Sequence, residues 1–333
     1  MTAGYRLLLV DVYWLDEAGE RYGPGYVLLD RGRVAALEPG EPGEEEQYAE
    51  MVAGGPGRLV VPGFAGLAAP ELYILRAGLS PGEAWRALLG EHPVSGLLEG
   101  FGPVESYYAT LIAAWEAALN GITRLVVLSV NPAAAAQAVS DAGLAGLVLA
   151  ADESCGATPL GGGAVDRVLD EARRRGADLA RVKVAPLSCG RCGGAWCLSR
   201  EGLTAPGGGE VAPQGAREWL LPITAPWAML YTGGGAAWRL LVATLHRAVE
   251  PSYEPLAGMA HLSVLDLSQP PGWCPARAAS PSCLGPLPPR VETLVAEGRV
   301  VVDGGESLYA GSTAAAEAAR RLGELAEKAA RTG

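Results

Sequence analysis

The sequence predicts an α/β fold, and three observations carry this prediction. Between residues 122 and 186, apolar runs typical of buried strands alternate with helical segments: strand 122–130, helix 132–142, strand 144–150, helix 163–175 and strand 180–186. Apolar runs of this length suit a parallel sheet that is covered by helices on both faces. The chain also begins and ends with short strands around turn residues, which indicates a second part rich in strands.

The remaining elements follow from the same patterns. A strand is expected at 5–14 and a hairpin at 26–37, where Asp30, Arg31 and Gly32 form the turn. Further helices are expected at 81–89, at 104–119, at 236–249 and at 313–330, the last of them capped by Ser312, and two more strands at 219–223 and 228–232.

Composition limits the classes of function. The chain has 333 residues, which corresponds to about two domains, and 49% of its residues are apolar. Its net charge of −11 would repel nucleic acid and anionic membranes. Because neither a membrane span nor a signal peptide is recognisable, we expect a soluble cytoplasmic protein. Nearly all its basic residues are arginine, and with 46 Gly and 25 Pro this is compatible with a thermophilic source.

The stretch at 58–70, RLVVPGFAGLAAP, joins an apolar strand to a Pro-Gly turn. It resembles the signature VxPGFxDxHxH, which opens the barrel of the amidohydrolase superfamily (dihydroorotases, hydantoinases and chlorohydrolase-type deaminases). Segments that resemble other parts of the superfamily are YVLLDRGRVAALEPG, ALNGITRLVV, MLYTGGGAAWRLL, AGMAHLSVLDLSQP and VETLVAEGRVVVDGG.

This resemblance implies a domain organisation. Residues 58–255 would form a TIM-like (β/α) barrel, residues 1–57 and 256–305 a small β-sandwich built from both chain ends, and residues 306–333 a C-terminal helix. Roughly 40 residues separate strand 180–186 from the expected last barrel strand, where the superfamily fits several units of about 30 residues each. The barrel is therefore expected to be abbreviated or distorted.

The resemblance also implies where a divalent metal would bind, and there the sequence departs from the pattern. Ala68 and Pro70 occupy the two His positions, Gly66 replaces the preceding Asp, and Gly233 replaces the Asp of the last strand. The three histidines, His92, His246 and His261, lie elsewhere in the chain. We therefore expect no cofactor at the usual site and a non-catalytic protein that acts as a scaffold or partner subunit, or as a homo-oligomer.

A different possibility is an enzyme with a rebuilt site at the barrel mouth. Asp152, Glu153 and Lys183 are the candidate catalytic residues, on or after strands 144–150 and 180–186. Such an enzyme would hydrolyse C–N bonds of the cyclic amide or aminohydrolase type, or act as a lyase or isomerase. A Lys at a strand end is also explained by pairing with Asp152 or Glu153.

Six cysteines leave several possibilities open. The four cysteines after two neighbouring strands would meet at one edge of a parallel sheet and could hold a structural zinc or an iron–sulfur cluster: Cys155, Cys189, Cys192 and Cys197. Disulfides among them, with Cys274 and Cys283 as a second pair, explain all six. The sequence is also compatible with free buried thiols or with a catalytic thiol.

Overall fold

A computed structural model of the chain describes residues 5–75, 81–155, 158–189, 196–199, 203–206, 210–212, 237–268, 280, 284 and 289–332. The chain divides into two units. Unit 1 comprises Met1–Ala65, Ala117–Arg124 and Pro226–Leu308, and unit 2 comprises Gly66–Glu116, Leu125–Ala225 and Tyr309–Gly333.

Unit 1 contains one mixed sheet of eight strands that come from both chain ends. The strands are β1 (Arg6–Leu15), β2 (Arg21–Asp30), β3 (Arg33–Pro39), β4 (Met51–Pro62), β12 (Leu262–Asp266), β13 (Arg290–Ala296), β14 (Arg299–Asp303) and β15 (Glu306–Ser307). Their order is β15-β14-β13-β12-β4-β1-β2-β3, with β1 parallel to β4. The β-sandwich that the sequence predicts here is not confirmed: these strands form one continuous hydrogen-bonded sheet.

Alternation of side chains gives the sheet of unit 1 two apolar faces. Leu7 and Leu9 belong to the larger core, which also includes Trp14 and Val60. Leu8 points to the opposite face and packs in a smaller cluster with Tyr26 and Leu28. This is the period of two that a pleated strand imposes.

The Pro-Gly turn at the end of β4 is held tightly within unit 1. The amide of Gly63 donates to the carbonyl of His261 at 2.9 Å, and its own carbonyl lies 2.8 Å from Nε2 of His246. A Cβ at position 63 would lie 2.3 Å from a methyl carbon of Thr123, so only glycine fits. His246 lies on α7 (Leu245–Val249), which directly follows a π-helical turn at Leu240–Thr244.

Unit 2 is organised around a sheet of seven strands in the order β11-β10-β9-β8-β7-β6-β5. They are β5 (Phe64–Ala68), β6 (Ile122–Leu128), β7 (Ala145–Ala151), β8 (Val182–Cys189), β9 (Trp196–Leu198), β10 (Leu203–Thr204) and β11 (Glu210–Ala212). β7 pairs in parallel with β8, as the sequence predicts, and β8 pairs in parallel with β9. The α/β prediction is confirmed: the fold is mixed α/β with a curled, half-barrel sheet.

Helices connect and flank these strands. They are α1 (Pro70–Leu75), α2 (Pro81–Leu88), α3 (Ser95–Leu98), α4 (Pro103–Leu119), α5 (Pro132–Asp141), α6 (Val165–Arg174) and α8 (Ser312–Thr332). Helix α8 packs its Ala318 and Leu322 against Phe101 and Ala109, and its Arg321 lies over the ring of Tyr108. Among the described residues, no helix is both long and apolar enough to cross a membrane.

Some predictions concern positions outside the described residues. These are the strands at 219–223 and 228–232, together with Gly233, Cys192, Cys274 and Cys283. Of the predicted helix at 236–249, the residues from 237 onward are described; they are helical and belong to unit 1.

Candidate active site at the carboxyl ends of β5 to β8

A buried carboxyl group lies directly after β5. Glu71 is the second residue of α1, and only 2% of it is exposed. The hydroxyl of Ser129, which follows β6, donates to Oε1 of Glu71 at 2.6 Å. This contact shows that β5 and β6 end at the same edge of the sheet.

A hydrogen-bond network surrounds this carboxyl group. Ser106 on α4 is a second hydroxyl partner of Glu71. The side chain of Asn131 donates from Nδ2 to Oγ of Ser106 at 2.9 Å and to the carbonyl of Phe101 at 2.8 Å. The backbone amide of Asn131 donates to Oγ of Ser129 at 3.1 Å. The loop between β6 and α5 is therefore built around Glu71.

Burial raises the pKa of Glu71 above its ordinary value of 4.5. Hydrogen bonds from Ser129, Ser106 and the amide of Val130 favour the ionised form, but they do not offset the loss of hydration. The site thus contains a carboxyl group that keeps its proton to higher pH than an exposed glutamate does.

Asp152 directly follows β7, and its pKa is shifted in the opposite direction to that of Glu71. Its Oδ1 accepts from the amide of Ser154 at 2.9 Å and from the Ser154 hydroxyl at 2.5 Å, and its Oδ2 accepts from the hydroxyl of Ser188, near the end of β8, at 2.5 Å. Partial burial acts to raise the pKa of Asp152, but the hydrogen bonds from Ser154 and Ser188 outweigh it and hold the pKa below its ordinary value of 3.8. Asp152 is therefore an ionised carboxylate at neutral pH.

A disulfide joins the ends of β7 and β8 beside Asp152. Cys155 and Cys189 are bonded to each other, and the amide of Cys189 donates to Oγ of Ser154 at 2.8 Å. Cys197 is disulfide-bonded as well. The sequence left disulfides, a metal site and free thiols as alternatives, and the structure has disulfides at these three cysteines. Disulfide sulfurs are not the thiolates that zinc or an iron–sulfur cluster requires.

A cleft of about 340 Å³ opens beside the loop that follows β6. Its lining comes from the start of α4, the start of α5, the Gly161–Gly162 turn and one side of α6: Pro103, Val130, Asn131, Pro132, Ala133, Ala134, Gly161, Gly162, Arg167, Val168, Glu171 and Arg175. The turn is bonded to the sheet edge, because Gly161 donates to the carbonyl of Ser129 at 3.1 Å and accepts from the amide of Ala151 at 3.1 Å.

The residues at the positions to which the sequence resemblance assigns metal ligands do not fit a metal ion. Ala68 is the last residue of β5 and Pro70 the first of α1, both are buried, and neither side chain has an atom that can coordinate a cation. In the part of the chain that the structure describes, no group of three His, Cys, Asp or Glu side chains is arranged to hold a metal.

Two of the three histidines belong to unit 1. The rings of His246 and His261 lie 5.3 Å apart, and His246 stacks on Tyr253 at 4.2 Å. Burial, together with the nearby charge of Arg124, lowers the pKa of His246 well below 6.5, so this imidazole is neutral and donates to the Gly63 carbonyl. His92 is only partly buried, and its Nδ1 accepts from the amide of Val94 at 3.3 Å.

The structure places two of the three predicted catalytic candidates next to each other, Asp152 and Glu153, and the third, Lys183, apart from them. Glu153 begins the short 3₁₀ turn after Asp152. Lys183 is exposed near the amino end of β8, opposite Leu147, whereas the amide of Asp152 bonds to the carbonyl of Leu187. Four residues of strand span about 13 Å, so Lys183 does not join Asp152 at the carboxyl edge.

Sequence reasoning missed Glu71, Ser129 and Ser106. A signal was present for Glu71, since it is the first charged residue after the apolar run that begins at Leu59. An acid that directly follows a buried strand lies at the edge where α/β enzymes place their sites. No comparable signal distinguishes the two serines.

Comparison with solved structures reveals the same fold in hydrolases. The chain is similar to an adenosine deaminase from Xanthomonas campestris with bound zinc (TM-score 0.69, 14% identity, 97% of this chain and 98% of that chain). It is also similar to the zinc complex of atrazine chlorohydrolase from Arthrobacter aurescens (TM-score 0.64, 12% identity, 96% and 100%). A third similar structure is an amidohydrolase from a Sargasso Sea environmental sample (TM-score 0.62, 13% identity, 98% and 100%).

The chain matches no family model and no curated protein sequence. The structural neighbours nevertheless agree with the resemblance read from the sequence. The chain has the fold of these structures, which are of hydrolases.

Proposed function

We propose that this protein hydrolyses C–N bonds, of the cyclic amide or aminohydrolase type, at a site rebuilt on the carboxyl ends of β5 to β8. The observation that carries the proposal is the carboxylate of Asp152, which lies partly exposed at this edge and is fixed by hydrogen bonds from Ser154 and Ser188.

Asp152 takes the role of general base in this reaction. Its carboxylate is ionised, only partly buried and fixed by Ser154 and Ser188. It accepts a proton from a water molecule as the water oxygen bonds to the carbon of the amide or amidine group. The C–N bond then breaks, and the same proton passes from Asp152 to the departing nitrogen.

Glu71 acts as a positioning residue, because its carboxyl group is almost fully enclosed. Through Ser129 and the amide of Val130 it holds the loop that borders the cleft. Zinc is present in two of the similar structures, but Ala68 and Pro70 offer it no ligand in this chain, and the proposed steps use only the protein's own groups.

The test is turnover by the purified full chain on hydantoin, dihydroorotate, N-acetylglycine, aminopyrimidines, adenosine and atrazine, each with chelator and with added zinc. The key variant is Asp152→Asn, and the matched control is Asp166→Asn, an exposed aspartate in the first turn of α6. We expect turnover in chelator that Asp152→Asn reduces by about 100-fold or more and the control preserves. Turnover that strictly requires zinc, or that survives in Asp152→Asn, would contradict the mechanism.

A second candidate function is a non-catalytic scaffold or partner subunit. The observation that favours it is the hydrocarbon character of Ala68 and Pro70, where the superfamily has metal ligands. Absence of turnover on every substrate, together with a stable assembly with a partner protein in size-exclusion chromatography and light scattering, would support this function instead.

A further inference from the structure

We propose that the cleft beside α5 and α6 is an oxyanion subsite, which binds the carboxylate or phosphate group of a small substrate. This inference rests on the proposed function only in treating the ligand as a substrate. The cleft volume of about 340 Å³ lies within the range of small-molecule sites.

Positive charge is concentrated on the α6 side of the cleft. Two guanidinium groups, Arg167 and Arg175, line it together with one carboxylate, Glu171. That carboxylate is already shared, since it pairs with Arg175 at 2.8 Å and with Arg174 at 2.7 Å. An excess of cationic side chains at one cleft contrasts with the net charge of −11 of the whole chain.

Arg167 is the group available for a ligand. In the described part of the chain its guanidinium makes no ion pair and no side-chain hydrogen bond, and it is exposed to solvent. A Cβ at Gly163 would approach Nη2 of Arg167 to 3.4 Å, so the guanidinium lies beside the residue that follows Gly161 and Gly162 of the cleft lining. A planar guanidinium binds carboxylate or phosphate through two parallel hydrogen bonds.

The opposite wall adds backbone donors. Asn131 immediately precedes α5, where asparagine usually caps a helix, but its side chain makes no cap and binds Ser106 and Phe101 instead. The first turn of α5, including Ala133 and Ala134, therefore faces the cleft without a side-chain cap. Such a helix start complements the charge of Arg167.

Gly161 and Gly162 line the cleft with backbone, because side chains do not fit there. A Cβ at Gly161 would lie 1.9 Å from the carbonyl oxygen of Val130, and one at Gly162 would lie 2.0 Å from that of Ala151. Ala151 is the last residue of β7 and directly precedes Asp152, so this part of the lining is joined to the strand that carries the proposed base.

The experiment measures binding without turnover, by isothermal titration calorimetry on the full chain at low salt. The probes are inorganic phosphate, N-acetylglycine and, as a neutral control, N-acetylglycine amide. We expect saturable binding of at least one anion and none of the amide. The anion that binds more tightly identifies the acidic group.

Three variants on α6 make the result specific. Arg167→Gln should weaken anion binding about tenfold, as expected for loss of one charge-assisted contact. Arg167→Lys should lose less, because it keeps the charge. The matched control is Arg173→Gln on the same helix, which removes an exposed arginine paired with Asp170 and should change binding less than twofold.

The proposal is overturned if neither anion binds saturably, or if Arg173→Gln weakens binding as much as Arg167→Gln does. Circular dichroism confirms that each variant is folded. Asp152-dependent turnover without anion binding would reject this subsite and leave the proposed function standing. Anion binding without turnover would support this subsite and count against the proposed function.

Discussion

Replacing the buried Glu71 by glutamine should remove a loss of stability that the parent protein shows as pH rises. The folded state raises the pKa of Glu71 above 4.5, so the unfolded chain releases this proton at lower pH than the folded chain does. The stability contributed by the protonated carboxyl is complete below pH 4.5 and is lost as pH rises toward the folded pKa. The free energy of unfolding of the parent protein should therefore fall, relative to Glu71→Gln, by about 1.4 kcal/mol per pH unit in that window.

The loss of stability caused by a non-polar side chain at position 71 follows from the hydrogen bonds that Glu71 accepts. Glu71→Leu leaves the hydroxyls of Ser129 and Ser106 without their acceptor, at a cost of about 1–3 kcal/mol for each buried group. Glutamine keeps an oxygen at that position and should cost much less at low pH. The contrast between the two variants separates the hydrogen bonds from the ionisation.

The assay is urea denaturation of the parent and of each variant at pH 5, 6, 7 and 8, with stability read from midpoints at constant slope. The control is Glu99→Gln, which likewise replaces one carboxyl by an amide but at an exposed position at the end of α3. A constant difference between parent and Glu71→Gln over this range would refute the reasoning. A parent that gains relative stability with rising pH would show that Glu71 is buried as a charge beside a cation.

Three further predictions concern other parts of the fold. Replacing both Cys155 and Cys189 by serine opens a loop of 34 residues and should lower the free energy of unfolding by about 4 kcal/mol in urea titrations, and dithiothreitol, which also reduces the disulfide of Cys197, should lower that of the parent at least as much. For Asp152→Asn, the folded pKa of the parent is depressed, so its stability advantage should be full at pH 5 and shrink as pH falls below 3.8; an advantage that persists in acid denaturation at pH 2 would contradict this. Gly121→Ala, at φ +83° with a new methyl 3.2 Å from a serine hydroxyl, should cost about 1–2 kcal/mol in thermal unfolding and more than Gly176→Ala, which has φ +89° and open space around it.

The central strands could be predicted closely from the sequence because their cause is local. β6 and β7 are fully buried and mostly apolar, and each follows a glycine turn that ends the preceding helix. The sequence predicts a strand at 180–186, whereas β8 begins two residues later, at Val182, and does not end at Pro186. The strand continues to Cys189, paired with β7 on one side and β9 on the other.

The site depends on contacts that no local pattern encodes. Glu71 has the pattern of an ordinary acid in the first turn of a helix, and its burial depends on Ser129, 58 residues later. The cysteines show the same limit. The sequence predicts that Cys155 and Cys189 emerge at one sheet edge, but the choice between disulfide, metal and free thiol depends on how closely the strand register brings them together.

The pairing of β4 with β12 has a consequence for biosynthesis. Arg58 and Asp266 face each other in this ladder, although they are 208 residues apart in the chain. During synthesis, most of the polypeptide must therefore leave the ribosome before the edge of β4 that pairs with β12 has its partner strand. An unpaired strand edge of this kind can associate with other nascent chains. Closing so large a loop is entropically slow, so the yield of native protein should depend on how well a chaperone shields β4 until β12 has emerged.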